Sequence, residues 1–588
     1  MTEYLASVAP APAPAALNSN AESRRSWTDG ANVPTPLQQL PNGGLESNGA
    51  ATLSGERRRR TSRELVGLES GLSATPREAT VLRVDTRPDT PSGHWSSPTS
   101  RRFFAERVPW RARVSSLALI VGLVCGVVAA VYMYVLELLL ELVWKDGGPT
   151  FAARWPDAPP WAFTLLVCTV LGGCVGVLIH VLGEPLINLV GVVSVVHRDG
   201  LLGHREAPAM AAISLVSITA AGSLGPEAPL VSIGGGIASF LCIQVDLSEA
   251  ETLFVTMCGM GAGLAAFFGE PIGGALFACE VLHRWGLEYY EAMVPTIIAG
   301  LACNWSFRVA SGMPQQPIWT FAPEPLLLPW TSILGVVWGA IGGGLGWLWM
   351  RFTNWVRVSL IVRWRLGNWH VAKGVVGGLL IGAIGALHPE TLFWAEHEAQ
   401  TIIDHGSTPL PHVWNATGVL GDYSLADPFV LLSIGLFKML AITVTMIGGF
   451  RGGFIFPFMF AGHAIGTAVA IAGGWVGIPL SQAAGALCTA CAINVAVTRT
   501  VIATPIVLAS LSGRPDTLPT LLVASLVSLW VTADESVIKD ARKRWLRVEL
   551  EGCDAMEDPS PDIVRRRSRL RRPHSTDALN GRPGSAML

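Results

Sequence analysis

The chain has 588 residues, of which 50% are hydrophobic and only 15% charged, and its net charge is −2. Soluble chains of this size carry about 25% charged residues, so this composition and a mean hydropathy of +0.43 point to a polytopic membrane protein. A near-neutral chain offers no basic field for nucleic acid. No nucleophile–base pair, metal cluster, phosphate loop or cofactor motif stands out, which argues against an enzyme and leaves no cofactor to expect.

Residues 1–105 are rich in Ala, Pro, Ser, Gly and Arg and have no sustained apolar period, so they are expected to be disordered. Arg101, Arg102, Arg107, Arg111 and Arg113 precede the first apolar segment, and Arg542, Lys543, Arg544 and Arg547 follow the last. By the positive-inside tendency both ends face the same side, the cytoplasm or its organellar equivalent, which implies an even number of crossings. Long spans are expected at 115–142, 161–182, 292–309, 330–350, 372–387 and 429–447. Shorter pieces cut by Gly and Pro run over 186–196, 210–221, 229–243, 252–268 and 272–281, then 454–472, 483–497, 501–511 and 518–531. Pieces this short suggest half-helices that meet inside the bilayer. A polar interruption at 391–428 holds the sequon Asn415-Ala416-Thr417, and residues 541–588 form a charged tail too short for a paired regulatory domain. The lone Cys488-x-x-Cys491 pair reads as helix packing rather than as a metal or redox site.

One stretch organises the rest. Gly222 to Gly236 places a single carboxylate, Glu227, between Pro226 and Pro229 inside an apolar region. A carboxylate at membrane depth is costly and is a functional candidate by default. The prolines suit a first helical turn, whose N–H groups have no intrahelical partner. A broken helix starting near Glu227 would therefore aim free N–H groups at an anion. The second half repeats the design. Pro229 and the Pro271 of Gly269-Glu270-Pro271 are 42 residues apart; Pro457 of Gly452-Gly-Phe-Ile-Phe-Pro457 and Thr500 of Thr498-Arg-Thr500 are 43 apart. Matched broken segments in two halves point to an ion site at the midplane between inverted repeats.

At these residues the chain resembles the CLC family of chloride channels and chloride/proton exchangers. Gly225-Pro226-Glu227-Ala228-Pro229, Gly269-Glu270-Pro271 running to Glu280, Gly453-Phe454-Ile455-Phe456-Pro457 and Arg499-Thr500-Val501 match the family's motifs in order. The resemblance covers residues 106–540 and implies an all-α membrane domain of tilted and broken helices, with one repeat over about 115–312 and the second over about 329–533. It also implies a homodimer in a lipid bilayer with one anion path per subunit. Glu227 would be the gating carboxylate, competing with chloride for backbone N–H groups of Gly225, Glu227, Ala228, Gly453, Phe454 and Ile455, and its protonation would favour release.

Three positions depart from the pattern. The family's chloride-coordinating serine should fall near 186–188, where the chain reads Leu186-Ile187-Asn188, with Ser194 out of register; its late tyrosine should fall near Val537. The inner proton-carrying glutamate of many exchangers is replaced by Val281, after Glu280, which is read as a packing and hydrogen-bonding residue. Glu270 is read as a helix-start carboxylate. The expected function is a voltage- or pH-gated anion channel. The alternatives are a chloride/proton antiporter and, more remotely, a non-conducting scaffold.

Overall fold

The structure is a computed structural model that describes residues 109–183, 201–203, 206–245, 247–282, 287–322, 329–363, 369–406 and 423–533. The N-terminal region 1–105, the segment 186–196 with Asn188 and Ser194, the sequon at 415–417, Val537 and the tail 541–588 lie outside the described residues.

The described residues form helices and no strand, save one isolated bridge. In chain order the helices are α1 (Trp110–Leu140), α2 (Gly147–Arg154), α3 (Trp161–Leu182), α4 (Ala207–Thr219), α5 (Glu227–Val245), α6 (Glu249–Phe268), α7 (Pro271–Leu282) and α8 (Leu287–Ser311). They continue as α9 (Leu334–Arg357), α10 (His370–Leu387), α11 (Glu396–Ile403), α12 (Pro428–Ile447), α13 (Ile455–Trp475), α14 (Gln482–Thr498), α15 (Ala503–Leu511) and α16 (Leu518–Val531). Among the described residues, eight helices are long and apolar enough to cross a membrane, which makes this a multi-pass integral membrane protein.

The expectation of half-helices is corrected at three places. α5, α6 and α13 run 19, 20 and 21 residues, long enough to span. The glycines that suggested breaks lie inside these helices and serve as contact points. On α5, a Cβ at Gly234 would collide with the Gly259 carbonyl of α6, so the two backbones touch there. Without water to drive apolar surfaces together, close backbone packing at small residues is what holds such helices in contact. α4, α7, α15 and α16 remain short, at 13, 12, 9 and 14 residues.

α8 lies on α1, α10 on α3, α6 on α5, and α14 on α13. α6 opens with a capping box of Ser248 and Glu251, and Arg113 of α1 pairs with the same Glu251, which ties the two helix starts together. Leu119, Ile120 and Val131 of α1, Val170 of α3 and Leu379 of α10 are exposed, as lipid-facing side chains must be. The interior carries the polar groups: Glu227, Glu390, Lys438 and His463 are at most 1% exposed.

Candidate anion site

The site lies where two irregular segments cross. After α4 the chain turns through Ala221, held in the left-handed region at φ 58°, and Gly222 N–H closes onto the Ser217 carbonyl at 3.2 Å. After α12 it turns again through Gly449, at φ 88°. The two loops are stitched by polar bonds: Ser223 N–H to Thr445 Oγ1 at 3.1 Å and Arg451 N–H to Ser217 Oγ at 3.1 Å. Gly225 and Gly453 then form an antiparallel bridge, each N–H donating to the other's carbonyl at 2.7 Å. The two glycine motifs read from the sequence therefore meet, head to tail.

Both helices that leave this crossing have the same start. α5 begins Glu227-Ala228-Pro229 and α13 begins Ile455-Phe456-Pro457. Proline at the third position has no N–H and needs none, while the first two residues keep N–H groups without an intrahelical partner. Each start also carries the positive end of its helix dipole. The site is thus built to attract an anion from two directions.

The Glu227 carboxylate fills that place. It is 1% exposed, and its Oε1 accepts the Phe456 N–H at 3.0 Å. Its Oε2 is buried with no hydrogen-bond partner. Gly225 and Gly453 flank the group, and a Cβ on either would collide with Oε2. The glycines are there because the carboxylate needs the room. Behind it, the Phe456 ring packs against Phe267, Phe268 and Trp319, at centroid distances of 4.8, 6.1 and 5.8 Å.

The six backbone donors named from the sequence fall into three groups. Gly225 and Gly453 N–H each donate to the other's carbonyl in this arrangement. Glu227, Ala228 and Ile455 stand in first helical turns. Phe454 is the residue before α13, and its carbonyl accepts from Phe458 at 3.1 Å. Phe456, which makes the actual bond, was missed. The signal lay in Pro457, because a proline at the third helical position leaves the second N–H as the donor a carboxylate would take.

Val281 lies buried near the end of α7. Its neighbour Glu280 accepts Ile502 N–H at 2.9 Å on one oxygen and Ala503 N–H at 3.0 Å on the other. It closes the start of α15 and ties it to α7. Glu270 accepts Ile272 N–H at 3.2 Å, as a helix-start carboxylate does, and takes Ser510 Oγ at 2.8 Å with its second oxygen.

A carboxylate lodged at a helix N-terminus inside an all-helical membrane domain defines the class: a multi-pass membrane protein with a buried glutamate where two helices start. The chain belongs to the voltage gated chloride channel, or CLC, family, whose model matches residues 186–533. A chloride/fluoride channel protein of Pseudomonas syringae pv. tomato is 27% identical over 371 residues, covering 62% of this chain and 73% of that protein. The chloride channel protein CLC-f of Arabidopsis thaliana is 24% identical over 364 residues, covering 59% of this chain and 43% of the plant protein. The fold matches the crystal structure of a slow cyanobacterial Cl−/H+ antiporter with a TM-score of 0.61 at 17% identity, over 75% of this chain and 98% of that one.

Proposed function

We propose that this protein passes chloride or a similar small anion through a membrane as a gated channel, with Glu227 as the gate. The observation that carries the reading is the Glu227 carboxylate on the Phe456 N–H, with its second oxygen unpartnered. A carboxylate and a halide carry the same charge and compete for the same donors, so each must leave for the other to bind. One hydrogen bond is a weak tether, and an incoming anion offers the helix starts equal charge in exchange. Protonation removes the carboxylate's charge and frees it to move.

Passive conduction rather than proton exchange is favoured by the neighbourhood of Val281. Valine holds no proton, and Glu280 has both oxygens committed to α15. The assembly is expected to be a homodimer in the bilayer, each copy with its own path.

The test is flux from liposomes loaded with chloride, with voltage short-circuited and a proton-sensitive dye present. Chloride should move down its gradient without proton uptake, and Glu227→Gln should alter the flux and its pH dependence. Uphill proton movement abolished by Glu227→Ala would instead establish an exchanger. No flux of chloride, nitrate or fluoride would overturn the transport reading and favour a scaffold.

A further inference from the structure

Beside Gly225, next to the Glu227 carboxylate, runs the irregular segment 388–396. It joins α10 to α11 through a short turn, Pro389–Thr391. Two of its residues, Phe393 and Ala395, stand at φ 54° and 65°. Neither is glycine, and left-handed backbone at such residues costs on the order of 1 kcal/mol or more unless the surroundings impose it. Between the two sits Trp394, 8% exposed. Its Cβ lies against the same face of Gly225 that the Glu227 carboxylate occupies. Its indole Nε1 donates to Glu396 Oε2 at 2.9 Å.

What imposes the strained backbone is Lys438 of α12. Its side chain is completely buried, and Nζ spends its three N–H groups on three successive carbonyls: Thr391 at 2.8 Å, Leu392 at 3.2 Å and Phe393 at 2.9 Å. The ammonium also stands 5.0 Å from the centre of the Phe460 ring, one turn along α13 from the Phe456 that holds Glu227. Glu398 of α11 lies in electrostatic reach of Lys438 and partly balances its charge. From the other side, Phe393 N–H reaches the Ala221 carbonyl at 3.4 Å, and the Trp144 ring packs edge-on against Phe393. The Glu396 carboxylate faces Glu227 electrostatically, as does Tyr132, whose hydroxyl is bonded to Ser214 at 2.8 Å.

We propose that Lys438 is a positioning residue for anion passage: by holding the carbonyls of residues 391–393 it seats Trp394 as a plug over Gly225 and Glu227. The inference rests on the reading of Glu227 as the group that competes with the anion. A buried lysine with an ordinary structural role would need only some set of acceptors. Here all three acceptors belong to the segment that carries Trp394 against Gly225, and the two strained residues bracket Trp394. Opening the site on this side requires Trp394 to move, and Lys438 sets the cost of that movement.

The experiment is chloride flux from liposomes containing the full-length protein, measured across pH, for the parent, Trp394→Ala, Lys438→Met, Lys438→Arg, Glu227→Gln and the double variant. Loosening the plug lets Glu227 leave with less help from protonation. Trp394→Ala and Lys438→Met should each raise flux at neutral pH by about fivefold or more and shift the pH of half-maximal flux upward, the size expected of a coupling between neighbouring groups. The double variant should add nothing to either single one, because both remove the same restraint. Lys438→Arg, which keeps the donors, should restore parental behaviour in large part. If Lys438→Met does not fold, Trp394→Ala carries the same test.

A folded Trp394→Ala with parental flux and pH profile, beside a Glu227→Gln that changes both, would overturn the plug and leave the site reading standing. A Lys438→Met that lowers the melting temperature without moving the pH profile would do the same. A silent Glu227→Gln would overturn the reading of the site, and the plug with it.

Discussion

Glu227 and Glu280 are two carboxylates at two helix starts, and they are held in opposite ways. Glu280 gives one oxygen to Ile502 N–H and the other to Ala503 N–H, and so completes the start of α15. Glu227 gives one oxygen to Phe456 N–H, leaves the other without a partner and is hemmed in by two glycines. The first arrangement has no reason to change, since any departure gives up both hydrogen bonds at the start of α15. The second is incomplete as it stands, which is the property a displaceable group needs. The two carboxylates differ in their count of bonds and in burial, Glu227 being 1% exposed and Glu280 only partly buried, and on the proposed reading the first is a gate and the second a strut.

The sharpest way to break the comparison is to fill the cradle. Gly453→Ala places a methyl group where Glu227 Oε2 sits, and the three atoms nearest to it all belong to the Glu227 side chain. The carboxylate must be displaced, and the expected outcome is flux that no longer depends on pH, with a stability loss of about 1–3 kcal/mol from overpacking. Flux measured across pH checks it, and parental pH dependence would contradict the cradle.

Glu280→Ala should act in the reverse sense. Losing two charge-assisted hydrogen bonds costs about 3 kcal/mol or more in stability, read as a lower thermal midpoint in detergent, whereas the pH profile of the protein that remains folded keeps its midpoint. A shifted midpoint would mean that Glu280 also carries protons.

A third carboxylate lies between these cases. Glu390, outside the membrane spans, is completely buried; one oxygen accepts the Tyr423 hydroxyl at 2.5 Å and the other has no partner. Burial pushes its carboxyl up from an ordinary 4.5 to about 7, against the opposing pull of the Tyr423 bond. The folded chain therefore keeps a proton that the unfolded chain has released between those values, and this group's contribution to stability falls as pH rises from 4.5 through about 7. Glu390→Gln, which is neutral at every pH, should flatten that slope and stabilise the protein on the alkaline side by a few kcal/mol at most, on the order of the shift itself. Thermal midpoints across the same range test this, and an unchanged slope would refute it. The smallest effect is expected from Glu270→Gln: its bonds to Ile272 and Ser510 are near the surface, and the loss should stay near ~1 kcal/mol.

The site was legible in the sequence where chemistry is local. Proline two residues after Glu227, proline two residues after Ile455 and the glycines before each helix are short-range signals of helix starts that need room, and the two motifs do meet at Gly225 and Gly453. Helix lengths were harder to read. Gly234, Gly235 and Gly236 look like a break in α5, yet Gly234 and Gly235 are where α5 meets α6, and sequence alone does not say whether a glycine bends a helix or lets another approach. Lys438 and Trp394 were invisible for a different reason. Their meaning lies in contacts 45 to 47 residues apart, between a buried ammonium and three carbonyls that carry no residue identity at all.

The central claim is that Glu227 and the anion compete for one set of donors at the starts of α5 and α13. Isothermal titration of chloride into purified protein at neutral pH, with the parent compared to Glu227→Gln, tests it most directly. The account predicts severalfold tighter chloride binding in the variant, because the competitor has lost its charge, and parental binding that tightens as pH falls. Equal affinity in the two proteins, with no pH dependence in either, would contradict it.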